Sequence, residues 1–583
     1  MTTWLQSLPP GVIMAVGGLL LLALRGRALQ FGLVVLPVVS YGHLLALPAE
    51  HVVQLTIMGL DLVPVRIDRL AMVWGHVFHW AAILSAVYAL HVQDRVQHAA
   101  AIAYAGSAVA AVFAGDLVTL FVHWELTAVT SVFLIWSRDD RARKDRDPEE
   151  CYRAGLRYLI IQVASGVVLL AGICLRWADG GGLEFEGLAT GDITSAPLWA
   201  QLVFLAFGIK AAFPFLHNWL QDAYPRGTHT GTVFLSAFTT KMAIYALARG
   251  FAGTDLLVPL GVAMTLFPIF FAVIENDLRK VLAYSLNNQL GFMCVGIGIG
   301  TELALQGAAG HAFAHILYKA LLFQSMGAVL WSVGTCKATE LGGLFKRLPV
   351  TALCCMVAAA SISAFPLTSG FVTKSMTLSA AAEGHMTLVW LLLLFASAGV
   401  LEHSGIKIPY FAFLAPTKKD WSAIERPPWN MRAAMVTTAV LCLGIGVFPG
   451  VLYRFLDFQI EYEPYTALHV VGQLQLLLFA TAAFVWLVRI GAYPHEKRAT
   501  ILDFDWIYRR ALPAGWDRVV RRSSVFWTRG GRLAENARQD GLVWIQRWVG
   551  DGAALTQTRT IRGIALWVLA ALAVGLAWVF WLH

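Results

Sequence analysis

The stretch FLAFGIKAAFPFLHNWLQDAYPRGTHTGTVFLSAFTTKMAIYALAR, residues 204–249, reads as two mainly apolar helices joined by a polar turn, with one lysine near the middle of each, Lys210 and Lys241. A lysine at bilayer depth costs about 2.5–3.5 kcal/mol on insertion, so two in consecutive helices point first to function. Pro214 sharpens the point, because a proline at position i removes the hydrogen bond to the carbonyl of i−4, which here is Lys210. The helix is expected to break at its charged residue. Irregular backbone at membrane depth is tolerated only where it is buried in protein or lines a water-filled cavity. The stretch therefore reads as one unit of an ion path, against the plainer alternative of structural lysines paired with carboxylates in a packed bundle. His217 and His229, in the turn, are secondary candidates.

The rest of the chain fits that setting. Its 583 residues are 58% hydrophobic and 14% charged, with a mean hydropathy of +0.64, which no ordinary soluble domain shows. An all-α polytopic membrane protein follows. The seven cysteines are scattered without CxxC or Cys/His spacing, so no metal, iron–sulfur or disulfide framework and no cofactor is expected. The first apolar segment lacks a basic start and a small-residue cleavage site, and reads as a span and not as a signal peptide. Net charge is +8, yet nothing points to nucleic acid.

Scanning for apolar runs of about 20 residues predicts about sixteen spans. They lie near 11–25, 29–48, 67–91, 98–114, 116–137, 153–175, 197–219, 229–250, 256–275, 281–299, 301–332, 350–380, 386–415, 432–453, 467–489 and 563–582. Between the second and third, VVQLTIMGLDLVPVRID alternates apolar and polar residues and reads as a short extracytoplasmic hairpin. Arg25/Arg27, the run SRDDRARKDRD, Arg279/Lys280, Lys337 to Arg347 and Lys418/Lys419 fall on alternate connections, whereas ADGGGLEFEGLATGD and FQIEYEPY are acidic or neutral. Positive-inside reasoning puts the basic set in the cytoplasm and the N-terminus outside a bacterial-type inner membrane. Residues 493–562 interleave arginines with Trp506, Trp516, Trp527, Trp544 and Trp548, as helices lying in the interface do, before a last span at 563–583.

Further titratable groups sit inside other spans. Glu125, next to Trp124 in the fifth, needs a partner to stay charged, and Lys210 is the expected one. The eleventh places His311, His315 and Lys319 at i, i+4 and i+8, on one helical face over roughly 12 Å. Such a row suits a proton relay. The twelfth couples Pro366 and Gly370 to Lys374, and the thirteenth carries Glu402, His403 and Lys407 before Pro409. Both are expected to be broken. Interrupted helices at corresponding places in two halves are the mark of inverted-repeat transporters.

The motifs GDLVTLFVHWEL, GIKAAFPFLHNWLQDAYP, TTKMAIYALAR, NDLRKVLAYSLNNQLGFM, HAFAHILYKALLF, LGGLFKRLP and FPLTSGFVTK, across roughly residues 60–455, resemble the antiporter-like subunits shared by respiratory complex I and Mrp-type multisubunit cation/proton antiporters. The likeness is to a divergent D-type member. It implies two inverted five-helix repeats, 98–250 and 251–415, after N-terminal spans (1–97) and before peripheral spans (416–492), and it likens the C-terminal segment to a lateral helix with a last span. It also implies a charged axis of Glu125, Lys210, Lys241 and Lys374, linked by His311, His315 and Lys319. The chain departs from the family where PSPVSALL is usual, carrying RGTHTGTVFLSAF with its His229.

The function expected is proton translocation within a multisubunit complex, with exchange for Na⁺ left open. Other membrane subunits and lipids would be its partners. The alternatives are a proton channel coupled to a redox arm or an inorganic-carbon uptake module, and, from another class, a structural subunit without transport. Catalysis is not expected of this chain alone, though it could form part of an NADH:quinone oxidoreductase-like complex.

Overall fold

Acidic and hydroxyl residues open the long helices, because a short side-chain acceptor satisfies amides that the first turn leaves free. Asp68 takes the amide of Ala71, Asp94 those of Val96 and Gln97, Asp116 that of Thr119, and Asp277 that of Arg279. The computed structural model describes residues 6–138, 146–456, 462–494, 501, 503–527 and 561–581. Among these the chain is mainly helical, and ten helices are long and apolar enough to cross a membrane.

Residues Met1–Ile501 form one unit and Leu502–His583 a second. The first begins with α1 (Val12–Leu20) and α2 (Gly26–Ala46), then the antiparallel hairpin β1 (Val52–Ile57) and β2 (Leu60–Arg66), as its alternating sequence predicts. There follow α3 (Arg69–Ala89), α4 (Arg95–Val112), α5 (Leu117–Trp136), α6 (Pro148–Ala178), α7 (Leu198–Lys210), α8 (Asn218–Ala223), α9 (Gly231–Ala237) and α10 (Thr239–Gly250). The unit continues through α11 (Leu257–Ile274), α12 (Leu278–Ile299), α13 (Glu302–Val333), α14 (Pro349–Ile362), α15 (Ser369–Glu383), α16 (Thr387–Val400), α17 (Trp429–Val447) and α18 (Ala467–Arg489). The second unit holds α19 (Leu512–Trp527) and α20 (Ile561–Trp581). Residues 495–500, 502 and 528–560, more than half of the expected interfacial segment, lie outside the described residues.

Four stretches differ in detail from single spans. Past Leu20 the first helix tightens, each amide from Leu21 to Leu24 bonding the carbonyl three residues back, as short 3₁₀ ends do. The run 197–219 breaks after Lys210 and the run 350–380 after Ile362, and the two breaks are built alike. In the first, Phe213 N bonds Gly208 O and Ala212 N bonds Ile209 O; in the second, Phe365 N bonds Ala360 O and Ala364 N bonds Ser361 O. This pair of hydrogen bonds is a Schellman end, which needs a left-handed residue and is readily followed by proline. Ala212 and Ala364 supply it at φ 61° and 56°, ahead of Pro214 and Pro366.

The run 229–250 also breaks, at Phe238 (φ −107°, ψ −67°), with no proline to announce it. The thirteenth run is the correction in the other direction. It stays helical from Thr387 to Leu414, because the ring of Pro409 is accommodated by wide π-turns at Leu401–Ile406 and Tyr410–Leu414 instead of a gap.

Direct contacts sort the connections to two ends of this unit. At one, Arg146 donates to Arg226 O, Arg279 to Gly227 O and Lys419 to Glu340 O, while the backbones of Asp277 and Lys337 form an isolated antiparallel bridge. At the other, Gly115 N bonds Val63 O of the hairpin and Arg66 meets Glu186 at 3.0 Å.

Candidate functional site: a buried row of charged and polar side chains

The five lysines singled out from sequence, Lys210, Lys241, Lys319, Lys374 and Lys407, are all at most 2% exposed, as are His311, His315 and His403. A buried cation must be paired or hydrogen-bonded. Lys210 has a carboxylate close enough for its charge to be felt. Glu125 and Lys210 lie within electrostatic reach of each other, yet Lys210 Nζ gives its hydrogen bonds to the Trp124 carbonyl and to Thr127 Oγ1 (3.3 Å), and it stands 4.5 Å over the Trp124 ring. The Glu125 carboxylate rests on α6 at Gly166, where a Cβ would come within 1.6 Å of its Oε1. Among the described residues that Oε1 has no hydrogen-bond partner.

Three of the remaining lysines rest on helix ends, which departs from the plainer alternative of lysines paired with carboxylates. Lys241 Nζ donates to Ser236 O at the Phe238 break (2.5 Å), and Lys374 Nζ to Ile362 O at the end of α14 (2.8 Å). Lys407 Nζ takes the carbonyls of Ala272, Val273 and Glu275 at 3.1, 2.6 and 2.7 Å, closing α11. The last carbonyls of a helix are unpaired and carry the negative end of its dipole, so they hold an ammonium without an acid. The broken backbone thus supplies what acidic side chains would otherwise provide.

Around these anchors the structure brings most of the expected residues together. His315 faces the charges of Lys241, Lys319 and Lys374, Lys319 those of Lys241 and Lys374, and His403 those of Lys319, Lys407 and Lys374. His311 stacks on His315 with ring centroids 6.1 Å apart and meets Thr373 Oγ1 at 3.2 Å. Among the described residues, Lys319 Nζ and both His315 nitrogens have no hydrogen-bond partner. Of the secondary candidates, Glu402 accepts from Tyr493 OH at 2.6 Å, His403 meets Ser404 Oγ at 2.9 Å, His217 packs on Phe267, and His229 pairs with His91.

Between Lys210 and Lys241 lies a hydroxyl cluster that sequence reading missed. Ser131, one turn beyond Thr127 on α5, meets Tyr158 OH at 2.8 Å, and Tyr104 OH meets Thr239 Oγ1 at 2.6 Å while accepting from Thr239 N at 2.9 Å. Tyr224 OH is fully buried beside them, within the electrostatic reach of Tyr104 and Tyr158 and close to Thr239. Lone tyrosines within apolar spans carry no periodic signal. Only the packing of α4, α5, α6 and α10 shows that they converge.

The family model for "NADH:quinone oxidoreductase/Mrp antiporter, TM" matches residues 114–400. The A/B component of a probable K⁺/H⁺ antiporter from Rhizobium meliloti is 30% identical over 71% of this chain, and the match spans only 42% of that relative. The NADH-quinone oxidoreductase subunit N of Desulforudis audaxviator is 31% identical, over 57% of this chain and 69% of its own length. The solved Mrp complex of a Dietzia species has a chain that superposes with a TM-score of 0.74 at 23% identity, over 94% of this chain and 63% of that one, a likeness of fold. With its broken helices and their lysines in the matched region, the chain belongs to the family of antiporter-like membrane subunits shared by NADH:quinone oxidoreductases and Mrp antiporters.

Proposed function

We propose that this chain is a proton-translocating subunit of a multisubunit membrane complex, moving protons along Glu125, Lys210, Lys241, His311, His315, Lys319 and Lys374. The observation that carries the reading is the mutual electrostatic reach of Lys241, His315, Lys319 and Lys374 in a buried row whose central ammonium and imidazole have no hydrogen-bond partner among the described residues. Buried polar groups left this way are satisfied by ordered water. A wet file among titratable groups passes protons. From Lys210 the hydroxyls of Thr127, Ser131, Tyr158 and Thr239 offer a hydrogen-bonding link toward Lys241. A shift of the Glu125 carboxylate changes the field on Lys210 strongly, since charges interact with little screening at low dielectric.

The finer architecture belongs to the same reading. The two matching Schellman breaks support paired repeats, 98–250 and 251–415, within about sixteen spans counted by length, with the N-terminus outside and the membrane a bacterial inner one. The partners are other membrane subunits of the complex, and the coupled ion is H⁺ alone or H⁺ against Na⁺, K⁺ or another cation. A second reading, coupling to a redox arm, is favoured by the likeness to a component of an NADH-quinone oxidoreductase.

The test is proton movement by the purified complex in proteoliposomes, with Lys210→Ala and Glu125→Ala made separately. Both are expected to abolish transport while the complex assembles. Full transport in both variants would remove the relay.

A further inference from the structure

The departure at His229 acquires a partner in the fold. His229 Nε2 lies 2.9 Å from His91 Nε2, with the ring centroids 5.2 Å apart. His91 follows the C-terminus of α3 and borders a cavity of about 560 Å³, lined also by Gln30, Phe31, Leu90, Trp429 and Asn430. Gln30 and Asn430 close the helix end: Gln30 Nε2 donates to Leu90 O at 2.9 Å, and Asn430 Nδ2 to Val87 O and Tyr88 O at 3.0 and 2.9 Å. The same Nδ2 stands 3.1 Å from His91 Nδ1.

Counting donors assigns the tautomers, since an amide nitrogen has only hydrogens to give. Both Asn430 hydrogens go to Val87 O and Tyr88 O, so His91 Nδ1, facing a nitrogen that cannot accept, carries no hydrogen; its Nε2 carries the proton and donates to His229 Nε2. The position beyond a helix C-terminus favours a positive charge on His91. The charged and titratable neighbours are engaged elsewhere: the Asp94 carboxylate on the amides of Val96 and Gln97, Arg95 on Leu22 O, His98 on Val92 O, and Arg279 on the carbonyls of Gly227 and Thr228. Arg27 and Arg432 lie a turn or less from the cavity's lining.

On the inner side, the His229 carbonyl packs so closely on α13 that a Cβ at Gly327 would come within 2.5 Å of it. One turn back along α13 is Gln324, fully buried, with neither amide atom of its side chain hydrogen-bonded among the described residues. Five residues further, about 7.5 Å along the axis, is Lys319, likewise without a partner.

We propose that His91 and His229 form a proton-intake station, collecting protons from the cavity and passing them along water held at the Gln324 amide to the Lys319 end of the row. The proposal rests on the proton-moving function above and gives it an opening. Protonation of His91 Nδ1 from the cavity, with the Asn430 amide turning aside, releases the Nε2 proton to His229 Nε2. His229 then gives up its Nδ1 proton inward, so one proton enters and one leaves. Both rings finish in the opposite tautomer and return by turning over or by a second exchange.

The test uses the purified complex in proteoliposomes under an imposed pH gradient, comparing wild type, Lys210→Ala, His91→Ala and His229→Ala. Removing a positioned proton-transfer group is expected to lower the rate on the order of a hundredfold in each histidine variant. Adding free imidazole, which fits the cavity left beside His91, is expected to restore His91→Ala. An unchanged rate in either histidine variant overturns the station, and so does a loss in His91→Ala that imidazole fails to repair, because the pair is then structural. If His91→Ala does not assemble, His91→Gln, which can hydrogen-bond but not relay, takes its place with the same expected fall. A wild type that moves no protons, or a Lys210→Ala complex as fast as wild type, defeats the functional reading itself and is distinguishable from failure of the station alone.

Discussion

Lys319 separates a functional row from a structural one more sharply than any other residue. Its register with His311 and His315 is plain in the sequence, but only packing shows that, of the five buried lysines among the described residues, it is the one whose Nζ meets no protein acceptor. A lysine kept for stability should lower the melting temperature when removed. Replacing a buried charge by an apolar side chain of similar volume is instead neutral or stabilising by about 1–4 kcal/mol, so Lys319→Met is expected to raise the melting temperature and abolish transport, both read on one purified complex. Gly166 tests the Glu125 carboxylate without touching it. Gly166→Ala places a methyl where Oε1 now rests, and alanine favours the helix by about 1 kcal/mol. Transport is expected to fall at least tenfold at unchanged or higher thermal stability, and an unaltered rate would mean that the position of Glu125 does not matter.

At the scale of elements, helix ends decide where three of the ammonium groups sit: the Phe238 break for Lys241, the Schellman end of α14 for Lys374 and the end of α11 for Lys407. Pro214 announces the first break in the sequence, whereas the kink at Phe238, which turns the Ser236 carbonyl toward Lys241, has no local signal and arises where the Tyr104 hydroxyl takes the Thr239 amide. A left-handed alanine is strained by roughly 1–2 kcal/mol. Ala212→Gly is therefore expected to stabilise the chain by about 1 kcal/mol in thermal unfolding, offset in part by glycine's larger unfolded-state entropy. Gly370→Ala is the opposite case, since its Cβ would come 1.8 Å from the Ser361 carbonyl, a backbone atom. The start of α15 would have to move off α14, at about 3 kcal/mol or more, taking Lys374 from Ile362 O. A thermal scan and a transport assay of that variant should both fall.

For the molecule as a unit, the end that carries the hairpin is held by an ion network independent of the buried row. Arg249 NH2 bonds both Asp68 oxygens at 2.7 Å, Arg249 Nε bonds Tyr245 OH at 2.7 Å, and Arg66 reaches Asp68 at 3.5 Å. Burial pushes the Asp68 carboxyl up, but the Arg249 guanidinium draws it down further, so it lies below the usual carboxylate range. A group whose folded value is depressed contributes stability above its unfolded value, near pH 3.9, and loses that contribution as pH falls through the folded value. Wild type is thus expected to melt above Asp68→Asn by a constant margin from about pH 5 upward, and the two curves should converge below about pH 4. A margin that widens on acidification would show that the pair is not what holds this end.

Composition, span length and the dearness of lysine in hydrocarbon were sufficient to read a polytopic helical membrane protein, the hairpin, the break beside Pro214, the family and nearly every charged member of the row, since each of these depends on one helix and its solvent. Which groups face one another was decided only by tertiary structure: carbonyl ends in place of carboxylates under Lys241, Lys374 and Lys407, the tyrosine hydroxyls between Lys210 and Lys241, and the meeting of His91 with His229. Those pairings join residues far apart in the chain through the crossing of helices that are apolar on nearly every side. A helix of that kind carries no stripe to tell the sequence reader which neighbour it will meet.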